Sequence, residues 1–224
     1  MIPYKDDNPT RLFPVVTLII ICCNIMIFLI EIVSPCGMKT ITYTYGAIPQ
    51  SLISFQTQQP LHPLMTVFTS MFMHGGLFHL AGNMLYLWIF GNNIEDRLGH
   101  VRFVIFYLFC GIFAAYSYAI TNPASTIPMV GASGAISGIL GAYLLLFPRA
   151  NVHTLVFLGF FVTTLKIPAL IVIGFWAIIQ FINGIISSGL REGGGVAWFA
   201  HLGGFLIGLA TLKLWLPRRD KQWS

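Results

Sequence analysis

Long apolar runs alternate along the chain with short polar or charged junctions, and most of the runs have lengths that suit membrane-crossing helices. Residues 12–30 carry no charge between Arg11 and Glu31, which predicts a first span across a hydrocarbon core about 30 Å thick. It exceeds a signal peptide's apolar region and lacks a small-residue cleavage site, so it is expected to stay in the mature protein. Further spans are predicted over residues 72–90, 103–120, 133–147, 167–186 and 196–212. Residues 34–71, with Tyr43, Tyr45, Pro49, Pro60 and Pro63, read as a long outer loop holding short interfacial helices. The run 152–165, closed by Lys166 and Pro168, is short for a span and is expected to be interfacial or re-entrant. The pattern predicts one all-α domain over residues 1–224, a six-transmembrane helix bundle with a short central fourth helix and a long first outer loop.

Composition narrows the class. At 56% hydrophobic and 8% charged residues, with mean hydropathy +0.80, the chain cannot be a water-soluble globule and must partner a lipid bilayer. The net charge of +5 raises nucleic acid as a partner, but the basic residues sit between apolar runs and form no stripe interleaved with exposed aromatics, so no nucleic-acid partner is expected. With six spans, only Lys39 and Arg191 fall on one side, against Lys5, Arg11, Arg97, Arg102, Arg149, Lys166, Lys213, Arg218, Arg219 and Lys221 on the other. Such a bias places both termini in the cytoplasm, with the chain in a plasma or inner cell membrane. Cys22, Cys23 and Cys110 lie in predicted spans and Cys36 is alone in the outer loop, so no outer pair is there to bridge. No CxxC, HExxH or P-loop occurs, and neither metal nor cofactor is expected.

Candidate chemistry emerges from depth. The fourth run is about 22 Å long as a helix, and with Pro148 and Arg149 at its cytoplasmic end, its start at Ser133 lies roughly 7 to 8 Å below the outer surface. His201 on span six and His79 on span two fall at about the same level when counted from their outer ends. The irregular backbone just before Ser133 is tolerated at that depth only if buried in protein or lining a wet cavity, which predicts a pocket open to the outside. His79 and Asn83 share a helix face, whereas His74 is expected in the loop junction. Gly204 and Gly208 continue the stripe of His201, and Gly134, Gly138 and Gly141 offer a matching seam, so span six is expected to press His201 towards Ser133.

A serine beside a histidine at a helix start is a nucleophile beside its base. The imidazole takes the hydroxyl proton and returns it to the leaving amine, while free amides at the helix head, joined by Asn83 and His79, favour an oxyanion. None of the acids Asp6, Asp7, Glu31, Glu95, Asp96, Glu192 or Asp220 is expected at pocket depth, so such a hydrolase would use a Ser-His dyad. Gln180, Asn183 and Asn24 read as interhelical hydrogen-bond partners, and Gly193–Gly195 as a flexible last outer loop.

Three motifs carry a family resemblance: G-A-S-G at Gly131 to Gly134, A-H-x-x-G-x-x-x-G at Ala200 to Gly208, and H-x-x-x-x-H-x-x-x-N at His74, His79 and Asn83. Together they resemble the rhomboid intramembrane serine proteases. The resemblance implies Ser133 as nucleophile, His201 as general base, His79 and Asn83 at the oxyanion, and structural support from His74, Gly131, Gly204 and Gly208. It implies single-span transmembrane proteins as substrates, cleaved in or beside the membrane, and a structural turn at Glu95 to Gly99. Two positions depart from the common pattern: Met65-Thr66 stands where many members have Trp-Arg, and Ser137 where many have the tyrosine that packs on the histidine. Orientation of His201 then falls to Trp198, Phe199 or nothing aromatic. The competing readings are a non-catalytic scaffold of the same fold and a channel or transporter lined by His79 and His201.

Overall fold

The computed structural model describes residues 2–159, 161–188 and 196–217; the Gly193–Gly195 loop, Arg191, Glu192 and the last basic residues lie outside them. Its main helices are α1 (Val15–Val33), α5 (Leu77–Tyr86), α6 (Asn92–Leu98), α7 (His100–Thr121), α8 (Ser133–Leu146), α9 (Ala169–Ser188) and α10 (Trp198–Trp215). A π-helical turn, Leu87–Gly91, joins α5 to α6 without a break in the rod. Three short helices, α2 (Gly37–Tyr45), α3 (Pro49–Ser54) and α4 (Pro63–Ser70), fill the first loop. Proline opens α3 and α4 at their first turns, where its missing N–H costs nothing. Among the described residues α1, α7, α9 and α10 are long and apolar enough to cross a membrane, and α8 is a shorter apolar helix. The chain is a polytopic helical membrane protein.

The fold is mostly helical rather than all-α. Residues 152–165 belong to an antiparallel hairpin of β2 (Asn151–Leu158) and β3 (Phe161–Pro168), to which β1 (Ile2–Asp6) adds as the third strand in the order β1-β2-β3. Val152, Thr154, Val156, Val162, Thr163, Thr164 and Ile167 are β-branched, and Gly159 takes φ +62° in the turn. Val152 and Thr154 point inward and are fully buried, giving the two-residue period of a strand. The second span also differs from the expected 72–90: the helix starts at Leu77, after Gly75-Gly76, and runs to Leu98, where Gly99 turns the chain with φ +76°.

α8 is the axis of the bundle. Every residue from Gly134 to Tyr143 is buried, so it is enclosed on all sides. α10 lies along one flank, with Gly204 against the Gly134 carbonyl and Gly208 against Gly138. α7 lies along another, with Ala114 and Cys110 facing Gly134 and Gly138. α1 buries Thr17, Ile20, Asn24, Phe28 and Glu31, a stripe at helical spacing. Its start is capped from elsewhere in the chain: Glu95 accepts the Val16 and Thr17 amides at 2.9 and 2.8 Å and the Thr17 hydroxyl at 2.7 Å. Asp96 accepts the Arg11 and Leu12 amides in the segment leading into α1. Carboxylates at a helix start satisfy orphan donors and complement the dipole, which gives the Glu95 to Gly99 turn its structural role.

At the far end of α8 the fully buried Tyr143 donates to Asp6 at 2.7 Å, and Asn93 donates to the same carboxylate oxygen at 2.8 Å. Burial pushes the Asp6 carboxyl above its ordinary value of 3.8, with the Tyr143 hydrogen bond opposing. A raised carboxyl holds its proton longer in the folded chain, so its contribution favours the fold below that ordinary value and declines as pH rises through the raised one. Asp6→Ala leaves the buried Tyr143 hydroxyl without its acceptor, while Asn93 keeps Ile89 O and Asn92 Oδ1, and is expected to destabilise by about 1–3 kcal/mol. Asp6→Asn keeps an acceptor oxygen and should lose less, both read as thermal unfolding in detergent.

Candidate active site

Ser133 is the first residue of α8 and is half-buried. The segment before it is held on two sides: Met129 exchanges both backbone hydrogen bonds with Ala47, at 2.8 and 3.1 Å, and the Gly131 amide donates to the Ser70 carbonyl at 2.8 Å. The first loop thus braces the approach to Ser133. Gly131 has φ +129°, a conformation that L side chains rarely adopt. A Cβ there would stand 2.8 Å from the His79 ring and 3.5 Å from Ser133 Oγ. Glycine therefore leaves open the space between that imidazole and the hydroxyl.

α10 brings the histidine. Glycine contacts at Gly204 and Gly208 let it approach the α8 backbone, and the buried His201 ring meets Ser133 with Nε2 and Oγ 2.7 Å apart. On its other side His201 Nδ1 is 2.7 Å from Oε1 of Gln180, a buried residue of α9. The rings of Trp176 and Trp198 each stand 6.2 Å from the imidazole. Phe199 turns towards Gly184 instead. Ser137, the other serine of this stretch, is buried and donates its hydroxyl to the Ser133 carbonyl at 2.6 Å.

His79, Asn83 and His74 converge. Asn83 Nδ2 is 2.8 Å from His74 Nε2, and the His74 and His79 rings meet edge to face with centroids 5.1 Å apart. His74 sits in the turn before α5 but is fully buried. Its amide donates to Glu31 Oε2 at 3.2 Å. Glu31 is buried there in the last turn of α1, which runs past residue 30. Glu31 thus holds the backbone at His74.

Ser133, His201, His79, Asn83 and Gln180 line one cavity of about 770 Å³. Among the described residues no group of three His, Cys, Asp or Glu is arranged to hold a metal ion. A hydroxyl, an imidazole and the free amides of a helix head in one cavity are the parts of an acyl-transfer site.

Sequence reasoning placed Gln180 among interhelical hydrogen-bond partners without finding whose partner it is. Its signal is the Trp176-x-x-x-Gln180 spacing, which puts an aromatic and an amide on one face of α9.

Comparison with known proteins bears on the same residues. A family profile described as the Rhomboid domain matches residues 62–218. RHOMBOID-like protein 1 of Arabidopsis thaliana is 32% identical over 173 residues, covering 77% of this chain and 39% of the relative. Rhomboid protease GluP of Bacillus subtilis (strain 168) is 31% identical over 216 residues, covering 96% of this chain and 37% of its own length. Rhomboid protein 1, mitochondrial, of Saccharomyces cerevisiae is 31% identical over 149 residues, covering 65% and 40%. The chain spans about two fifths of the length of these relatives. With the profile covering most of the chain, including Ser133, His201 and the His74–His79–Asn83 cluster, the chain belongs to the rhomboid family.

Proposed function

We propose that this chain is an intramembrane serine endopeptidase that hydrolyses peptide bonds in or beside transmembrane segments of membrane proteins. The observation that carries the reading is the 2.7 Å contact of Ser133 Oγ with His201 Nε2 at the head of a buried helix. The relative named a protease, GluP, supports it by aligning along nearly the whole chain. In this reading α1, the α5–α6 rod, α7, α8, α9 and α10 make six spans, and the positive-inside bias puts both termini in the cytoplasm and the cavity mouth outside.

The chemistry follows from the parts. As Ser133 Oγ attacks the scissile carbonyl carbon, its proton moves to His201 Nε2 and the carbonyl π electrons move to oxygen. The oxyanion takes hydrogen bonds from the first amides of α8, with Asn83 and His79 on the facing side. His201 then gives its proton to the leaving amine, and a water activated by the same ring releases the acyl group from Ser133. A helical amide is shielded by its own hydrogen bonds, so the substrate must unwind locally before attack. Single-span substrates with helix-breaking residues near the outer face fit this demand.

Cleavage of a reporter transmembrane substrate in detergent is expected for the wild type and lost in Ser133→Ala at unchanged thermal stability. Cleavage retained in that variant would exclude Ser133 as nucleophile, and absence of cleavage in the wild type would favour the scaffold reading.

A further inference from the structure

A base must present a lone pair to the serine, so the imidazole is useful in one tautomer only: proton on Nδ1, lone pair on Nε2. In this structure Nδ1 faces Oε1 of Gln180 at 2.7 Å, and Nε2 faces the Ser133 hydroxyl at 2.7 Å. With the amide oxygen turned towards the ring, as it stands here, Gln180 accepts from Nδ1, and the proton sits there rather than on Nε2. The same bond fixes the rotation of the ring, whereas the Ser137 hydroxyl turns its proton to the Ser133 carbonyl.

We propose that Gln180 is the positioning residue of this site, holding His201 in the base-competent tautomer and making the constellation Ser133–His201–Gln180. The inference rests on the dyad reading of Ser133 and His201. An amide suits the place better than the carboxylate of water-soluble triads. Gln180 is 6% exposed on a membrane-spanning helix, where a carboxylate would carry a large desolvation cost while a neutral carbonyl still accepts. When the ring takes the serine proton, the positive charge meets the negative end of the amide dipole across a short hydrogen bond. Trp176 and Trp198 flank the imidazole, each with its ring centroid 6.2 Å away. In this role Gln180 acts on the reaction through its bond to His201 Nδ1.

The test compares wild type, Ser133→Ala, Gln180→Leu and Gln180→Glu on the reporter substrate, with thermal unfolding of each. Gln180→Leu keeps the bulk and removes the acceptor, so kcat is expected to fall about 10²-fold or more while KM stays within roughly twofold. Gln180→Glu keeps a carbonyl oxygen that can accept from Nδ1 whether or not the acid is ionised, so it is expected to recover most of that loss, which a merely structural role would not produce. Equal loss in both variants, or wild-type kcat in Gln180→Leu, overturns the proposal. A second readout needs no variant at position 180: ¹⁵N-histidine NMR of the wild type, with His201 assigned by its absence in His201→Ala. Protonated Nδ1 and bare Nε2 are expected, and the opposite tautomer overturns the assignment. Cleavage retained in Ser133→Ala would remove the dyad and the Gln180 role together, whereas loss in Ser133→Ala with an unaffected Gln180→Leu removes the Gln180 role alone.

Discussion

His201→Ala is expected to lower kcat for a reporter transmembrane substrate by at least about 10⁴-fold, with the protein still folded. A serine hydroxyl is almost wholly protonated at neutral pH, and the nearest group able to take its proton is the imidazole 2.7 Å away. His79 cannot take over. Its ring lies across Gly131 from the hydroxyl and packs edge to face on His74, so it is placed to bond an oxyanion rather than the attacking Oγ. Beside the space that the His201 ring would leave stand Gln180, Trp176 and Trp198, and none of them is a base at neutral pH. Residual cleavage would come from the oxyanion donors and binding alone. Single-turnover kinetics check the value, and a loss under tenfold would mean that His201 is not the base.

The largest effect on the fold is expected at the seam between α8 and α10. A Cβ on Gly208 would stand 2.5 Å from Gly138 Cα and 2.7 Å from its carbonyl carbon, inside van der Waals contact with backbone that cannot turn away. Gly208→Val therefore has to push α10 off α8, at a cost on the order of 3 kcal/mol or more. The same displacement carries His201 away from Ser133, so cleavage should fall with stability. Gly174→Ala on α9 is the control: a Cβ there meets nothing within 4 Å, and the change is expected to be neutral or to stabilise by about 0.5–1 kcal/mol. Unfolding of both variants in detergent distinguishes a close-packed seam from a general intolerance of substitution.

What could be read from the chain was set by how local the information is. Apolar runs mark helices because a hydrocarbon core demands length and lack of charge, which α1, α7, α9 and α10 satisfy. The stripe of Gly134, Gly138 and Gly141 is visible from spacing alone, and in the folded chain it faces α7 and α10. The hairpin was not legible in this way. Residues 152–165 are apolar without a clear period, and strand pairing with Ile2–Asp6 is a contact between distant parts of the chain. Glu31 escaped for another reason: charge was used to end the first span, whereas the helix continues and buries the carboxylate against the His74 amide. Gln180 is polar inside an apolar run, so partnership was readable, but the choice of His201 depends on how α9 meets α10.

The central claim is that Ser133 is an activated nucleophile in an enclosed site. Its most direct test is covalent labelling of the detergent-purified wild type by a fluorescent fluorophosphonate, with the adduct located by peptide mass mapping, beside Ser133→Ala. A single adduct on Ser133, absent from the variant, is the predicted result; equal labelling of both, or adduct on Ser137, would contradict the account.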